Sequence, residues 1–347
     1  MFTSVEVEPG GVRRGPVAPQ RQRLVLLGAC AVLFLALGRS AASPAAQHPS
    51  LIVVVGAPGE EQYGQLFGQW AELLAKAARE AEVNARLIGL TTNDAVGARE
   101  QLQQALSNEP KDGPEGLWLV FVGHGTFDGK EAKFNLRGSD VSATELAGWL
   151  QAFRRPLAVI NTSSASAPFL NKLSASNRVI VTATRSGNEV NFARFGQYFC
   201  AAIADPEADL DKDGQTSLLE AFLMASRRVK EFYEREGRLV TEHALLDDNG
   251  DSLGTPPDWF RGIRAVKTAK DGAMLDGFRA HQFHLVRSEG ELKLTPEVRA
   301  RRDELELAIA RLRENKGNLA EEDYYQKLEG LLLELARIYE GSGSVSP

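Results

Sequence analysis

Four stretches of this chain read as strands built on continuous apolar runs, the pattern of strands covered on both faces. They are residues 51–55 (LIVVV), 117–122 (LWLVFV), 157–162 (LAVINT, apolar to Ile160) and 178–184 (RVIVTAT, apolar over 179–181). A strand with one wet face alternates apolar and polar residues, whereas a strand buried on both sides reads as a continuous apolar run. A fifth, mixed strand is expected at residues 85–90, and a short β ribbon around 133–137. Between the runs the period changes to that of a helix. Leu66, Trp70, Leu73, Leu74 and Ala77 recur at helical spacing within residues 65–83, and further helices are expected at 94–106, 142–153 and 191–203. Ser142 followed by Glu145 has the spacing of a capping box, which starts a helix. Strands alternating with helices specify an α/β fold: a mostly parallel sheet with helices on both faces.

In such sheets ligands and chemistry gather at the carboxyl ends of the strands. Two of the apolar runs end in polar residues there. The 117–122 run leads into Gly123-His124-Gly125, and the 157–160 run into Asn161-Thr162-Ser163-Ser164. A histidine on one strand end and a hydroxyl on the next form a two-residue layout for covalent catalysis.

The combination resembles the caspase–haemoglobinase fold, especially its legumain-like cysteine peptidases. VFVGHGTFDG (120–129) is similar to the strand that carries the His-Gly of that family. AVINTSSAS (158–166) is similar to the strand and small-residue turn that hold the catalytic cysteine, and VIVTATRSGNE (179–189) to the turn bordering the first substrate pocket. The likeness spans residues 51–203. It implies that His124 is the base or polarising residue, that the Gly125 amide is an oxyanion donor, and that Ser163 stands in the nucleophile slot. Arg185 and Glu189 would lie on the pocket turn.

Serine in that slot changes the chemistry. A thiol ionises near ~8.5 and attacks readily, but a hydroxyl needs an oriented base, usually with a third group behind it. No carboxylate for that third role stands out. Cys200 lies in FGQYFCAAI among apolar residues and reads as core. Three readings follow: a non-catalytic relative that uses the cleft for binding a peptide or protein ligand, a Ser–His hydrolase acting on peptides or esters, or a misaligned turn with an unrelated site.

Residues 205–290 form an acidic extension. Within it, Asp209, Asp211, Asp213, Gly214, Ser217 and Glu220 fit the EF-hand loop pattern at every specified position. Calcium takes six to eight hard oxygens, here from Asp209, Asp211, Asp213, the Gln215 carbonyl, Ser217 and a bidentate Glu220. A structural Ca2+ is therefore the expected cofactor, and an acidic helix start without an ion is the alternative. A second cluster, Asp247-Asp248-Asn249-Gly250-Asp251, reads as an Asx-rich turn that needs no metal. A helix is expected at residues 217–236, and a strand at 281–286 pairing with 290–294. Residues 291–340 are expected to hold a helical hairpin (296–315 and 319–339), with Leu305, Ile309 and Leu312 facing Leu328, Leu331, Leu335 and Ile338. Residues 341–347 read as a loose tail.

At the other end, Arg13, Arg14, Arg21 and Arg23 precede an apolar segment at 24–37 and the small residues Ser40-Ala41-Ala42. Residues 1–42 thus read as a secretory signal or an uncleaved N-terminal anchor, followed by a linker at 43–50. Either way the remainder is expected in the periplasm or outside the cell, and any membrane contact comes only through that segment. Removal of the segment would take Cys30 with it and leave Cys200 as a single thiol. A net charge of −6, with basic residues interleaved among acids, argues against nucleic-acid binding.

Overall fold

The structure, a computed structural model, describes residues 48–91, 96–269 and 274–341. The expected signal or anchor at 1–42, most of the linker, and the tail beyond 341 lie outside the described residues.

Five parallel strands and one antiparallel strand make the main sheet, in the order β2-β1-β3-β7-β8-β9. The chain enters through β1 (Ser50–Val55) and crosses by α1 (Glu61–Glu80) to β2 (Asn84–Ile88). It then returns by α2 (Ala98–Asn108) to β3 (Leu117–Val122). A three-stranded ribbon follows, β4 (Gly125–Phe127), β5 (Ala132–Phe134) and β6 (Val141–Ser142), and leads into α3 (Ala143–Leu150). Next come β7 (Leu157–Asn161), α4 (Ala167–Leu173), β8 (Arg178–Thr182) and α5 (Phe195–Ala202). After α6 (Leu218–Arg235), β9 (Leu245–Asp247) closes one edge of the sheet against β8.

The continuous apolar runs have the cause expected of them. Alternate residues of β3 point to opposite cores: Trp118, Val120 and Val122 meet residues of α1, α5 and α6, while Leu117, Leu119 and Phe121 meet residues of α2, α3 and α4. Both faces are therefore dry. The capping boxes at Ser142–Glu145 and Ser217–Glu220 are both formed, and they begin α3 and α6.

The C-terminal part departs from one sequence expectation. Residues 281–294 do not pair as two strands; they hold two short helices, α7 (Phe278–Gln282) and α8 (Glu289–Leu292). The first turn of α7 is fixed by Asp248, whose carboxylate accepts from the Gly277 and Ala280 amides. That partner is distant in sequence, so local periodicity does not reveal it. The hairpin is present as α9 (Pro296–Glu314) and α10 (Glu321–Gly341). Leu305 and Ile309 are buried, with Leu328, Leu331, Leu335 and Ile338 half-buried on the facing helix. The segments at 51–204, 205–290 and 291–340 pack as a single unit. Among the described residues no helix is long and apolar enough to cross a membrane.

Candidate active site

Strands β1, β3, β7 and β8 run in the same direction, so their carboxyl ends share one rim. The chain order β2-β1-β3 reverses direction of travel at β1, and the crevice outside such a reversal is where α/β folds bind ligands. Pro58 follows β1, His124 follows β3, Ser163 follows β7 and Arg185 follows β8. Strands β3 and β7 are direct neighbours, with Phe121 opposite Asn161, so the histidine and serine turns stand side by side.

The contact between those turns is backbone-close. A Cβ placed on Gly125 would lie 2.6 Å from Ser163 Oγ and would also strike the Ser164 carbonyl, so only glycine fits beside that turn. Ser164 Oγ donates to the Gly125 carbonyl at 3.1 Å, and the Gly125 amide is directed to Ser164 Oγ at 3.5 Å. The amide expected to serve as an oxyanion donor is thus turned to a neighbouring hydroxyl.

Ser163 is fully buried. Its hydroxyl donates to Asn161 Oδ1 at 2.7 Å and lies 3.2 Å from the Ser164 carbonyl, and its amide donates to the same Asn161 oxygen. The polar neighbours of Ser163 Oγ are therefore Asn161 and Ser164 rather than the imidazole. Two residues on, Ala165 holds the left-handed conformation at φ 53°, where a Cβ is disfavoured, and its amide donates to the Glu189 carbonyl. This bond joins the serine turn to the turn after β8.

His124 is held by groups that the sequence did not single out. Its Nε2 lies 3.1 Å from the Pro58 carbonyl, so the ring carries its proton there and donates. Tyr63, Phe67 and Phe192 surround it, with centroids 4.9, 5.1 and 5.8 Å away. Burial among these rings holds the imidazole below its ordinary pKa, although the Pro58 carbonyl pulls the other way. The third group that an oriented base requires is therefore a backbone carbonyl, for which side-chain patterns carry no signal.

Arg185 and Glu189 pair at 3.4 Å, and Glu189 also takes His243 Nδ1 at 2.6 Å. Beyond them opens a cavity of about 620 Å3 bounded by Arg185, Glu242, His243, Val240 and Trp259.

The acidic loop lies apart from this rim. Oxygens of Asp209, Asp211 and Asp213 come within 4.8 Å of one another. Glu220 straps the loop to α6: Oε1 accepts from the Leu210 and Asp211 amides, and Oε2 from the amide and hydroxyl of Ser217. Asp209 Oδ1 is buried with no hydrogen-bond partner among the described residues. Asp213 accepts from the Gln215 amide, and Asp211 pairs with His281 at 2.8 Å. The second acidic cluster folds as successive Asx turns, with Asp247 accepting from Gly250 and Ser252 and Asn249 accepting from Asp251.

The sheet order and its flanking helices make an α/β fold with a mostly parallel central sheet. Among solved structures, the chain is similar to the Drosophila initiator caspase Dronc, at 16% identity over 61% of this chain and 86% of that one, with a TM-score of 0.38. It is similar to caspase-1 from Spodoptera frugiperda at 9% identity over 59% and 88%, TM-score 0.38. Protein GSU0716 from Geobacter sulfurreducens gives 12% identity over 52% and 89%, TM-score 0.34. These are likenesses of backbone layout alone. No family model and no curated protein matches the chain.

Proposed function

We propose that this chain is an exported, non-catalytic relative of legumain- and caspase-type peptidases, which uses the carboxyl rim of its sheet to bind a peptide or protein ligand. One observation carries the reading: the Ser163 hydroxyl is buried and spent on Asn161 and Ser164. A serine acts as a nucleophile only when a base can take its proton, and here its proton is directed elsewhere. The ligand would lie along the rim and send a side chain into the cavity beside Arg185, Glu242 and His243. Export rests on the basic and apolar pattern of residues 1–42.

A fluorophosphonate probe is expected to leave the protein unlabelled at any pH from about 6 to about 9. Labelling that disappears in Ser163→Ala would overturn the reading. It would favour the second one, a Ser–His hydrolase, which draws support from the Pro58 carbonyl already orienting His124. Ser163→Cys adds a further readout: a thiol-directed peptide electrophile that labels this variant would indicate a cleft that has kept catalytic geometry and lost only its nucleophile.

The same proposal places a structural calcium ion in the loop of Asp209, Asp211, Asp213, Gln215, Ser217 and Glu220. Three converging carboxylates and the unpartnered Asp209 oxygen support it. Millimolar calcium should raise the thermal midpoint, and Asp213→Asn should remove most of that rise. The absence of any rise at that concentration would exclude the ion.

A further inference from the structure

The opposite edge of the sheet, far from the serine rim, holds a second set of unused groups. Where β3, β7 and β8 begin, α7 and α9 close over a cavity of about 380 Å3 whose walls include Trp118 and Phe283. Four guanidinium groups reach it, from Arg154, Arg279, Arg287 and Arg299, against the carboxylates of Glu115, Asp303 and Glu304.

Each of those carboxylates is already claimed. Glu115, buried at the start of β3, accepts from Arg287 at 2.6 Å and lies 3.5 Å from Arg299. Asp303 pairs with Arg302 at 2.6 Å, and Glu304 with Arg301 at 3.2 Å. Burial also pushes Asp303 up to about 7, so part of its charge is absent at neutral pH.

Arg154 and Arg287 are paired, with Asp112 and Glu115, but Arg279 and Arg299 are matched less completely. Arg299 is 8% exposed; its Nη2 donates to the Leu294 carbonyl at 3.0 Å and its Nε lies 3.7 Å from Glu291, but neither Nε nor Nη1 makes a hydrogen bond among the described residues. His284, 9% exposed, lines the same wall with an unpartnered Nε2. Burial pushes that imidazole down to about 3, which keeps it neutral and able to donate one N–H. Arg279 forms no ion pair within 4.0 Å among the described residues, although the charge of Asp248 is felt there. Buried donors without acceptors cost free energy, and native proteins rarely leave them so. Paired guanidinium forks are the ordinary protein receptor for carboxylate and phosphate oxygens.

We propose that this cavity is a binding site for a compact, multiply charged oxyanion, phosphate or carboxylate, held by Arg279, Arg287 and Arg299. Its size suits a small molecule rather than a folded partner. It lies at the far end of the strands from Ser163 and stands whether or not the rim binds a peptide.

Titration calorimetry of the full chain with pyrophosphate and, separately, with citrate at constant ionic strength tests it. Saturable one-to-one binding of at least one anion is expected, and the tighter of the two identifies the phosphate or the carboxylate class. Arg279→Gln, which breaks no ion pair, should weaken binding about tenfold or more. Arg79→Gln, on the exposed face of α1 and paired with Glu72, should leave it unchanged. As a second readout, the anion should raise the thermal midpoint of wild type and of Arg79→Gln but not of Arg299→Met. No saturable heat from either anion up to about 10 mM, or equal losses in Arg279→Gln and Arg79→Gln, overturns the proposal.

Discussion

His124 and Gly125 differ in how their surroundings constrain them, and each constraint can be measured. The imidazole sits in an aromatic enclosure with its Nε2 proton on a carbonyl, and burial is the largest influence on its titration. Its NMR titration midpoint is expected below the ordinary value of about 6.5, with the Nε2-protonated tautomer dominant. A midpoint above that value would mean that the ring is open to water. Gly125 faces the Ser163 turn without room for a methyl group. Gly125→Ala should cost about 2 kcal/mol in chemical denaturation, because overpacking forces one of the two strand ends aside. That the strand ends carrying His124 and Ser163 are neighbours was legible from two apolar runs ending in polar residues. The Pro58 contact was not, because it acts through its backbone; Asn161 was visible among the polar residues at the end of its strand, but its hold on the Ser163 hydroxyl was not.

Secondary-structure elements whose first turn is satisfied by their own side chains were the easiest to read. Ser142 caps α3 by accepting the Glu145 amide at 3.1 Å, while Glu145 accepts the Ser142 amide at 3.1 Å, and both residues lie within one turn of sequence. Ser142→Ala is expected to lower stability by about 1 kcal/mol, visible as a shift of the urea midpoint without a change of slope. Loss well under half of that would show that the ribbon, not the cap, sets the start of α3. Helix α7 is the opposite case. Residues 281–286, at its end and beyond, suggest a strand, but the Asp248 carboxylate arrives from another part of the chain and captures the first-turn amides. Gly277, at φ 110°, supplies the left-handed entry that this geometry needs.

At the scale of the whole molecule, buried acids set the response to pH. Asp276 is enclosed, faces Asp248, and accepts from the Asp248 amide at 2.9 Å and the Thr255 hydroxyl at 2.6 Å. Burial, and next the charge of Asp248, push it up to about 9. The unfolded chain releases this proton near ~3.9, so between about 4 and about 9 the native state holds a proton that the unfolded state has lost. Stability contributed by this group is thus full below the lower limit and falls as pH rises through the window. Asp276→Asn should be more stable than wild type at about pH 8 and should show a flatter profile from about pH 5 upward. Equal losses of stability in wild type and Asp276→Asn between about pH 5 and about pH 8, measured by urea denaturation, would refute the assignment.

The pairing of Glu115 with Arg287 and Arg299 bridges about half the length of the chain, tying the foot of the third strand to the C-terminal helical region. A shortened protein that stopped after the last strand would strip a sealed anion of its counterions and uncover the floor beneath the sheet. Shortened versions should therefore precipitate during expression, and the trailing helices belong to the foundation of the molecule rather than to an ornament on its surface.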